Sequence, residues 1–383
     1  MVRLLTNALH AVRRVASVAF LVLFAAGSCA PPVVMPKFEG LKKAQWNALS
    51  PGGQTTCSDG SPFQFFVWPG SRSTVVLNFL DGGGCWNTQT CRDLKWYTRD
   101  TQAALEQLGP HAKVRPEGLI NMTDARNPVK DATHVVITYC TADIHWGDKV
   151  STYGDLGHSV TLRHKGAVNA KAVLDWVYAN VPSPDAVLST GCSAGSSGAI
   201  MWGAHAMEHY PQARHVVLGD SGAGIIPPGF LANTLATWNG TASFPSWIPG
   251  FDADQVKGMA DVFALIGKAY PKSQLSQVDN MKDRVQSKFY GLMVGDVNIP
   301  TSTWARLMVQ GKNDIAARTP NFDAYLVDID GAADFDTHCI INKDEFFTLD
   351  EFDGARDVTI ADWLRDMLAG KPVSDVRCPT CTL

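Results

Sequence analysis

Gly191-Cys192-Ser193-Ala194-Gly195 stands between the apolar run 185–190 and a helix-like stretch over 197–209. It reads as G-x-S-x-G at a strand-to-helix turn, which is the sequence context of a nucleophile elbow. The small flanking residues allow a sharp turn and leave the serine hydroxyl exposed at the end of the strand. A match of five residues by itself also fits a glycine-rich turn with a non-catalytic serine, which is the alternative. The pentapeptide therefore predicts Ser193 as a nucleophile at the edge of a sheet.

Short apolar runs on both sides of this motif predict further strands. Continuous apolar runs suit strands buried on both faces of a mostly parallel sheet, and amphipathic stretches at 165–181 and 357–369 predict helices packed on it. The fold class is therefore α/β, resembling an α/β-hydrolase with helices on both faces of the sheet. The first two runs, joined by a tight turn, predict an antiparallel hairpin. The predicted strands are 63–68, 74–80, 134–139, 185–190, 215–220, 272–278 and 322–327.

The amino terminus has the pattern of a secretory signal peptide. Three arginines precede the apolar run 15–26, which ends in small residues, so we expect removal of residues 1–28. A transmembrane helix is the alternative, but the run is shorter than the roughly 20 residues that cross a bilayer. Cys29, directly after the small residues, is a candidate lipid attachment site. The chain is therefore predicted to be secreted or periplasmic, with Cys29 as a possible membrane anchor.

The remaining 355 residues are acidic and suit one large core. The net charge of −4 becomes −7, because residues 1–28 contain three arginines and no acidic residue. The chain has no basic arm, so nucleic acid is not an expected partner. We predict one catalytic domain over 57–370, after a lead-in at 29–56 and before a tail at 371–383. Within it, the segment 225–270 is rich in Pro, Gly and aromatic residues and predicts a cap-like insertion, with plain packing as the alternative.

A serine nucleophile needs a histidine base. In the α/β-hydrolase order of serine, acid and histidine, only His338 follows position 215, and it lies in the loop after the last predicted strand. His205 and His209 lie in the helix after the elbow and are interpreted as structural. The sequence therefore predicts His338 as the general base.

The cysteines predict several disulfides. Nine occur, and the eight other than Cys29 form an even number, as expected for an exported protein. Local spacing favours Cys85 with Cys91 and Cys378 with Cys381, although the second pair also fits a redox or metal C-x-x-C motif. Because one cysteine adjoins Ser193 and another adjoins His338, we predict a Cys192 to Cys339 bridge that clamps nucleophile to base. The alternative for Cys192 is a small buried filler.

An oxyanion needs backbone N–H donors. The glycine-rich loop 80–86 follows an early predicted strand, and the residue after the nucleophile supplies a further donor in this fold. The predicted oxyanion hole therefore consists of Gly83, Gly84 and Ala194.

The residues leave the acid of the triad open. Asp279 and Asp283 both follow the predicted strand 272–278, where the acid loop is expected, and Asp220 ends the preceding strand. We interpret Asp220 and its neighbour Ser221 as supports of the pocket floor. The acidic stretch 328–336 does not match an EF-hand loop, so solvated acids are favoured over a calcium site.

Several motifs in order resemble the pectin acetylesterase and Notum family of serine esterases over most of 57–345. In that family the acid motif resembles Asp-x-x-Gln, which fits Asp283-Arg-Val-Gln286 and favours Asp283. The resemblance also implies pairing of Cys57 with Cys140. Asp81 departs from the pattern, since glutamate is frequent there, and this departure concerns the substrate more than the chemistry. The matching motifs are the glycine loop with Cys85 and Cys91, Tyr139-Cys-Thr-Ala-Asp143 with Gly147-Asp148, the serine pentapeptide, and Gly219-Asp-Ser-Gly222.

Together these features predict an exported serine carboxylic ester hydrolase. It would deacylate, and specifically deacetylate, an ester-linked substrate such as a polysaccharide, through Ser193, His338 and Asp283 and without cofactor or metal. A polyester depolymerase or tannase-like esterase would use the same residues. A non-catalytic binding protein on the same fold is the alternative from another class.

Overall fold

The computed structural model describes residues 34–109 and 116–381. The predicted signal peptide 1–28 and the candidate lipid site Cys29 lie outside these residues. Within the described ranges, no helix combines the length and the apolar character needed to cross a membrane.

The structure alternates strands and helices along most of the chain. The strands are β1 Asn47–Leu49, β2 Phe65–Trp68, β3 Ser71–Phe79, β4 Ala132–Ile137, β5 Lys149–Asp155, β6 His158–His164, β7 Ala186–Cys192, β8 Arg214–Asp220, β9 Gln274–Asn280, β10 Phe322–Val327, β11 Asp350–Phe352, β12 Asp357–Thr359 and β13 Val376–Arg377. The α-helices are α1 Gln102–Leu108, α2 Gly166–Asn180, α3 Ala194–His209, α4 Phe230–Trp238, α5 Met259–Ala269, α6 Arg284–Val294, α7 Thr301–Arg318, α8 Glu345–Thr348 and α9 Ile360–Leu368.

Nine of the described strands form one mixed sheet in the order β1-β2-β4-β3-β7-β8-β9-β10-β13. All strands from β4 to β13 in this order run parallel, and β1 and β2 are antiparallel at one edge. The predicted mostly parallel sheet is therefore confirmed. β5 with β6, and β11 with β12, form separate antiparallel pairs.

The predicted hairpin of the first two strands is wrong. Both strands exist, but β4 lies between β2 and β3 and pairs with each of them. The connection crosses the start of β4 closely, because a Cβ atom on Gly70 would lie 2.2 Å from the carbonyl oxygen of Ala132. A glycine at this crossing, and not a hairpin turn, explains the Pro-Gly pair in the sequence.

The sheet extends past the predicted bounds of 57–370 at both ends. β1 lies within the predicted lead-in and β13 within the predicted tail, and both are edge strands of the main sheet. Strands of three and two residues carry too little apolar alternation to be predicted from sequence.

Helices cover both faces of the sheet, as predicted. Alternate residues of β3 point to opposite sides: Val75 and Leu77 pack with α2, α3, α5 and α7, whereas Val76 packs with α8 and α9. α2 matches the predicted helix within one residue at each end, and α9 begins three residues later than predicted because 357–359 form β12. α6 and α7 were not predicted, since their surfaces are more polar than those of the other core helices.

Candidate active site

The predicted site residues come together at the carboxyl edge of the sheet. Ser193 follows β7, the acid loop follows β9, His338 lies in the loop after β10, and the glycine loop follows β3. This edge is where open parallel sheets place their ligands. Connections of very different length thus bring residues more than 250 positions apart to one place.

Ser193 has the backbone strain of a nucleophile elbow. Its φ and ψ are 54° and −120°, a sparsely populated region for a residue with a side chain, which costs about 1 to 3 kcal/mol. Both glycines of the motif are sterically required, because a Cβ atom on Gly191 would lie 2.4 Å, and one on Gly195 1.9 Å, from the carbonyl oxygen of Phe79. The motif therefore packs its turn directly against the end of β3 and leaves the Ser193 side chain partly exposed.

His338 and Asp283 form a buried pair. The Nδ1 atom of His338 lies 2.8 Å from Oδ2 of Asp283, and both side chains are at most 2% exposed. In the neutral imidazole, Nδ1–H donates to the carboxylate, which leaves Nε2 with a lone pair. Ser193 and His338 line one cavity, although no hydrogen bond joins their side chains among the described residues. Such bonds often tighten only when substrate is bound.

Further hydrogen bonds fix the Asp283 carboxylate. Asp283 caps α6 and accepts from the backbone N–H of Gln286 at 2.9 Å and from its side-chain Nε2 at 3.0 Å. The same amide group donates to Asp279, and Gln286 Oε1 accepts from the N–H of Ala223. Gln286 thus joins the acid loop to the segment after β8.

Asp279 has a different partner from the one a triad requires. Its Oδ2 lies 2.6 Å from Nζ of Lys312, which is 1% exposed. Burial acts to lower the pKa of Lys312 and to raise the pKa of Asp279, and their mutual attraction opposes both changes. The structure therefore brings Asp283, and not Asp279, to the histidine.

The two aspartates should respond differently to the same substitution. We expect Asp283→Asn to lower kcat by about a thousandfold or more with little change in the folded state, because an amide cannot stabilise the imidazolium. Asp279→Asn should leave the Lys312 charge unpaired and lower the free energy of unfolding by about 3 to 5 kcal/mol, with smaller effects on kcat. Steady-state kinetics and denaturant unfolding on both variants check this. The reverse ranking in kcat would assign the acid to Asp279.

The electrostatic surroundings favour a protonated His338. Burial acts to lower its pKa, but the charge and hydrogen bond of Asp283, together with the charges of two further aspartates, raise the pKa above its ordinary value. These two are Asp81 and Asp220. A base with a raised pKa accepts the serine proton more readily, provided that the medium is basic enough to keep it neutral before the reaction.

Asp220 and Ser221 hold the loop that contains His338. Ser221 Oγ donates to Asp220 and accepts from the N–H of Cys339, and the second oxygen of Asp220 accepts from the N–H of Ile341. Burial raises the pKa of Asp220 to about 7, against these hydrogen bonds, which lower it. The sequence predicted that this pair supports the pocket floor. The structure shows in addition that it holds the loop of His338.

Four disulfides join the eight cysteines of the described residues. The bridges Cys85–Cys91 and Cys378–Cys381 follow the predicted local pairing, and Cys57–Cys140 follows the pairing that the resemblance implied. The bridge Cys192–Cys339 closes a separation of 147 residues with 5.4 Å between the Cα atoms, so the predicted clamp is present. Both sulfurs lie near a ring nitrogen of His338, but the disulfide leaves no thiolate there for a metal.

Loss of this clamp should damage both stability and activity. In the chain-entropy model, a crosslink over a separation of 147 residues is worth about 5 kcal/mol, less any native strain. We expect Cys192→Ala with Cys339→Ala to lower the midpoint of thermal unfolding and to reduce kcat even where the variant is fully folded. The double variant Cys378→Ala with Cys381→Ala is the control, since that bridge closes three residues at the far edge. Equal losses of kcat in both would contradict a specific clamp.

The backbone donors for an oxyanion are not equivalent. Gly83, Gly84 and Ala194 line the same cavity as Ser193, but the N–H of Gly84 donates to the carbonyl of Trp96 at 3.3 Å. The N–H groups of Gly83 and Ala194 donate to no group among the described residues. Tyr139 supports the loop, because its hydroxyl donates to the Gly83 carbonyl at 2.9 Å and accepts from the N–H of Ile144. The geometry thus favours Gly83 and Ala194 as the available donors.

Two cavities meet at Ser193. The first, here called the apolar cavity, has about 150 Å³ and lies beside the predicted oxyanion donors. The second, the histidine cavity, has about 370 Å³ and contains His338 and Asp81. Gly83, Ser193, Val285 and Phe289 line both cavities and so form the boundary between them. The apolar cavity is lined by Trp86, Ile144, Ile225, Ile226, Phe230, Leu231, Trp238, Met259, Met293 and Trp304, among others.

The segment 225–270 lies over the strand ends and supplies much of the apolar cavity. It contains α4 and α5, and Trp238 Nε1 donates to the carbonyl oxygen of Cys85 at 2.7 Å. Carbonyl groups of Ala236 and Thr237 accept from side chains of the β5 strand. This segment is therefore bonded to the glycine loop and to the β5–β6 pair.

The remaining histidines and acids of interest have local partners. His205 Nε2 pairs with the carbonyl of Ser243, and His209 stacks on Tyr178 with 3.6 Å between ring centroids. In the acidic stretch, Asp328 pairs with Lys282 and Asp334 with Lys288. These contacts agree with structural histidines and with carboxylates neutralised by lysine.

A mostly parallel sheet with Ser193 at a strand-to-helix turn, and with His338 and the glycine loop at the same carboxyl edge, has the arrangement of an α/β-hydrolase fold. Residues 47–228 match the family model described as pectinacetylesterase, in line with the resemblance found in the sequence. The solved structure of the Wnt deacylase Notum from Drosophila has the same fold, with a TM-score of 0.60 and 16% sequence identity. The match covers 88% of this chain and 100% of that one. A comparison with curated proteins gave no significant match.

Proposed function

We propose that this chain is an exported serine carboxylic ester hydrolase with Ser193, His338 and Asp283 as its triad. The observation that carries the proposal is the strained Ser193 at a cavity shared with His338, whose other ring nitrogen is held by Asp283 at 2.8 Å. The match of residues 47–228 to the pectinacetylesterase family model and the Notum-like fold support an esterase or deacylase. The four disulfides fit an oxidising compartment outside the cytosol.

The proposed reaction has two halves. Ser193 Oγ attacks the ester carbonyl carbon while His338 Nε2 takes the hydroxyl proton, and the N–H groups of Gly83 and Ala194 bind the developing oxyanion. Collapse of the tetrahedral intermediate breaks the bond to the alcohol oxygen, which receives the proton from His338. Water then attacks the acyl-enzyme by the same route, releasing the carboxylic acid and restoring the serine.

The apolar cavity is the proposed site for the acyl group. It adjoins Ser193 and the donors of the oxyanion, so the carbonyl carbon bound there places its substituent among aromatic and aliphatic side chains. An apolar cavity of about 150 Å³ holds a benzene-sized group, so it accepts acetyl and longer acyl groups up to roughly six carbons in all. We therefore propose a deacylase for acetyl and short acyl esters.

Hydrolysis of p-nitrophenyl esters with acyl chains of increasing length tests this proposal, together with labelling by a fluorophosphonate probe. We expect labelling at Ser193, turnover of acetyl to hexanoyl esters, and a fall in kcat/KM for chains that exceed the cavity. An unlabelled folded protein without activity on any chain length would instead support a binding protein on this fold.

A further inference from the structure

We infer that the histidine cavity binds the alcohol half of the ester and that this half is an uncharged, hydroxyl-bearing ring such as a neutral sugar. This inference rests on the proposed function, and it assigns the part of the substrate that the acyl cavity leaves undefined. Three features of the described residues carry it: the side on which His338 lies, two exposed aromatic rings, and the balance of charge.

The position of His338 separates the two halves of the ester. Ser193 lines both cavities, whereas His338 lines only the histidine cavity. The general acid must lie within hydrogen-bond reach of the leaving oxygen to protonate it. The alcohol therefore leaves on the side of His338, and the acyl group lies on the other side of Ser193.

Two exposed aromatic side chains line this cavity. Trp96 is 45% exposed and Phe335 is 67% exposed, although large apolar side chains are normally covered. Trp96 contacts Phe289 edge to face with 6.2 Å between ring centroids, which restricts its ring. The electron-rich face of an aromatic ring attracts the C–H groups on one face of a sugar ring. These two residues therefore form a platform for a ring with one less polar face.

The charges of the cavity disfavour an acidic ring. Its groups that ionise near neutral pH are Asp81, Lys288, Asp334 and His338. Asp334 pairs with Lys288 and with Arg284, and Arg284 also pairs with Asp330, so these four charges balance. Asp81 has no ion pair among the described residues, and burial raises its pKa. Once the medium is basic enough to ionise Asp81 and keep His338 neutral, the uncompensated charge is therefore negative. Asp81 accepts hydrogen bonds from hydroxyl groups and repels a carboxylate. A neutral sugar therefore fits better than a uronate, the acidic sugar of pectin.

A matched pair of substrates tests the charge of the alcohol. The pair is methyl 3-O-acetyl-galactopyranoside and the corresponding galactopyranosiduronate, which differ only in a hydroxymethyl or carboxylate group on the ring. At low salt and about pH 8, where carboxylates are ionised, we expect the neutral ester to have about tenfold higher kcat/KM. The preference should shrink as salt is raised, because salt screens the repulsion. An equal or higher kcat/KM for the uronate at low salt would overturn the inference.

Variants of Asp81 assign the preference to one group. Asp81→Asn should bring the two kcat/KM values within about threefold, whereas Asp81→Glu should keep the preference, since only the first removes the charge. Because the Asp81 charge raises the pKa of His338, Asp81→Asn should also move the acidic limb of the pH profile to lower pH. An unchanged preference in folded Asp81→Asn would overturn the role of this residue.

Aromatic variants test the platform. Trp96→Ala should raise KM for the neutral sugar ester severalfold and leave ethyl acetate unaffected, because ethanol has no ring to stack. Trp247→Ala is the control, since Trp247 is also exposed but bonds Tyr270 in another part of the surface. Equal effects of Trp96→Ala on both esters would contradict stacking.

Failure of this inference is distinguishable from failure of the proposed function. If the protein is not an esterase, neither p-nitrophenyl acetate nor either sugar ester is hydrolysed. If only the inference fails, p-nitrophenyl acetate is hydrolysed while the matched sugar esters show no preference or the opposite one.

Discussion

Ser193→Ala is expected to reduce kcat by at least about a thousandfold, which is the usual cost of losing a triad nucleophile. The fold should survive, because the Ser193 side chain is partly exposed and its hydroxyl makes no hydrogen bond among the described residues. Alanine has the same backbone restriction as serine, so the strain of the turn is unchanged. Ester hydrolysis, fluorophosphonate labelling and circular dichroism on the same preparation check this.

Ser197→Ala is the matched control for the nucleophile. Ser197 lines the same apolar cavity, but it lies one turn along α3 from the elbow. We expect it to retain labelling and most of kcat. Near-normal activity in Ser193→Ala of equal purity would refute the nucleophile assignment.

His338→Ala is expected to cause a comparable loss and to remove the acidic limb of the pH profile. In the unaltered protein, kcat/KM should fall as the pH drops through the pKa of His338, because the protonated ring cannot accept the serine proton. Since surrounding carboxylates raise this pKa, the midpoint should lie above the ordinary histidine value of about 6.5. Measuring kcat/KM across pH locates the limb.

His209→Ala is the control for the base. His209 is exposed and stacks on Tyr178, away from the cavities that contain Ser193. We expect its pH profile to match that of the unaltered protein. A loss of kcat in this variant as large as that in His338→Ala would mean that the base is elsewhere.

The sequence predicted the centre of the fold better than its edges. Strands such as β10 were predicted residue by residue, because a run buried on both faces has a continuous apolar pattern. The order of β2, β4 and β3 was missed, because the residue pattern of a strand does not show which distant strand it pairs with. The same holds for β13, whose two residues join the sheet beside β10.

The candidate site shows a similar division. Ser193 and His338 were predicted because a motif and a chain order point to them, and the choice of Asp283 needed a family pattern. The ion pair of Asp279 with Lys312 was not foreseeable, because the two residues come from different elements. Asp81 stood out only as a departure from that pattern, and its closeness to His338 is visible only in three dimensions.

The bond from Trp238 to the carbonyl of Cys85 has a consequence for turnover. It joins the wall of the apolar cavity to the loop that carries the proposed oxyanion donors, and Trp86 and Phe230 add an edge contact with 5.0 Å between centroids. Because these contacts form without an ester bound, we expect product release to require no movement of this wall. We therefore expect formation or breakdown of the acyl-enzyme, and not a conformational gate, to set the rate, and viscogens to have little effect on kcat.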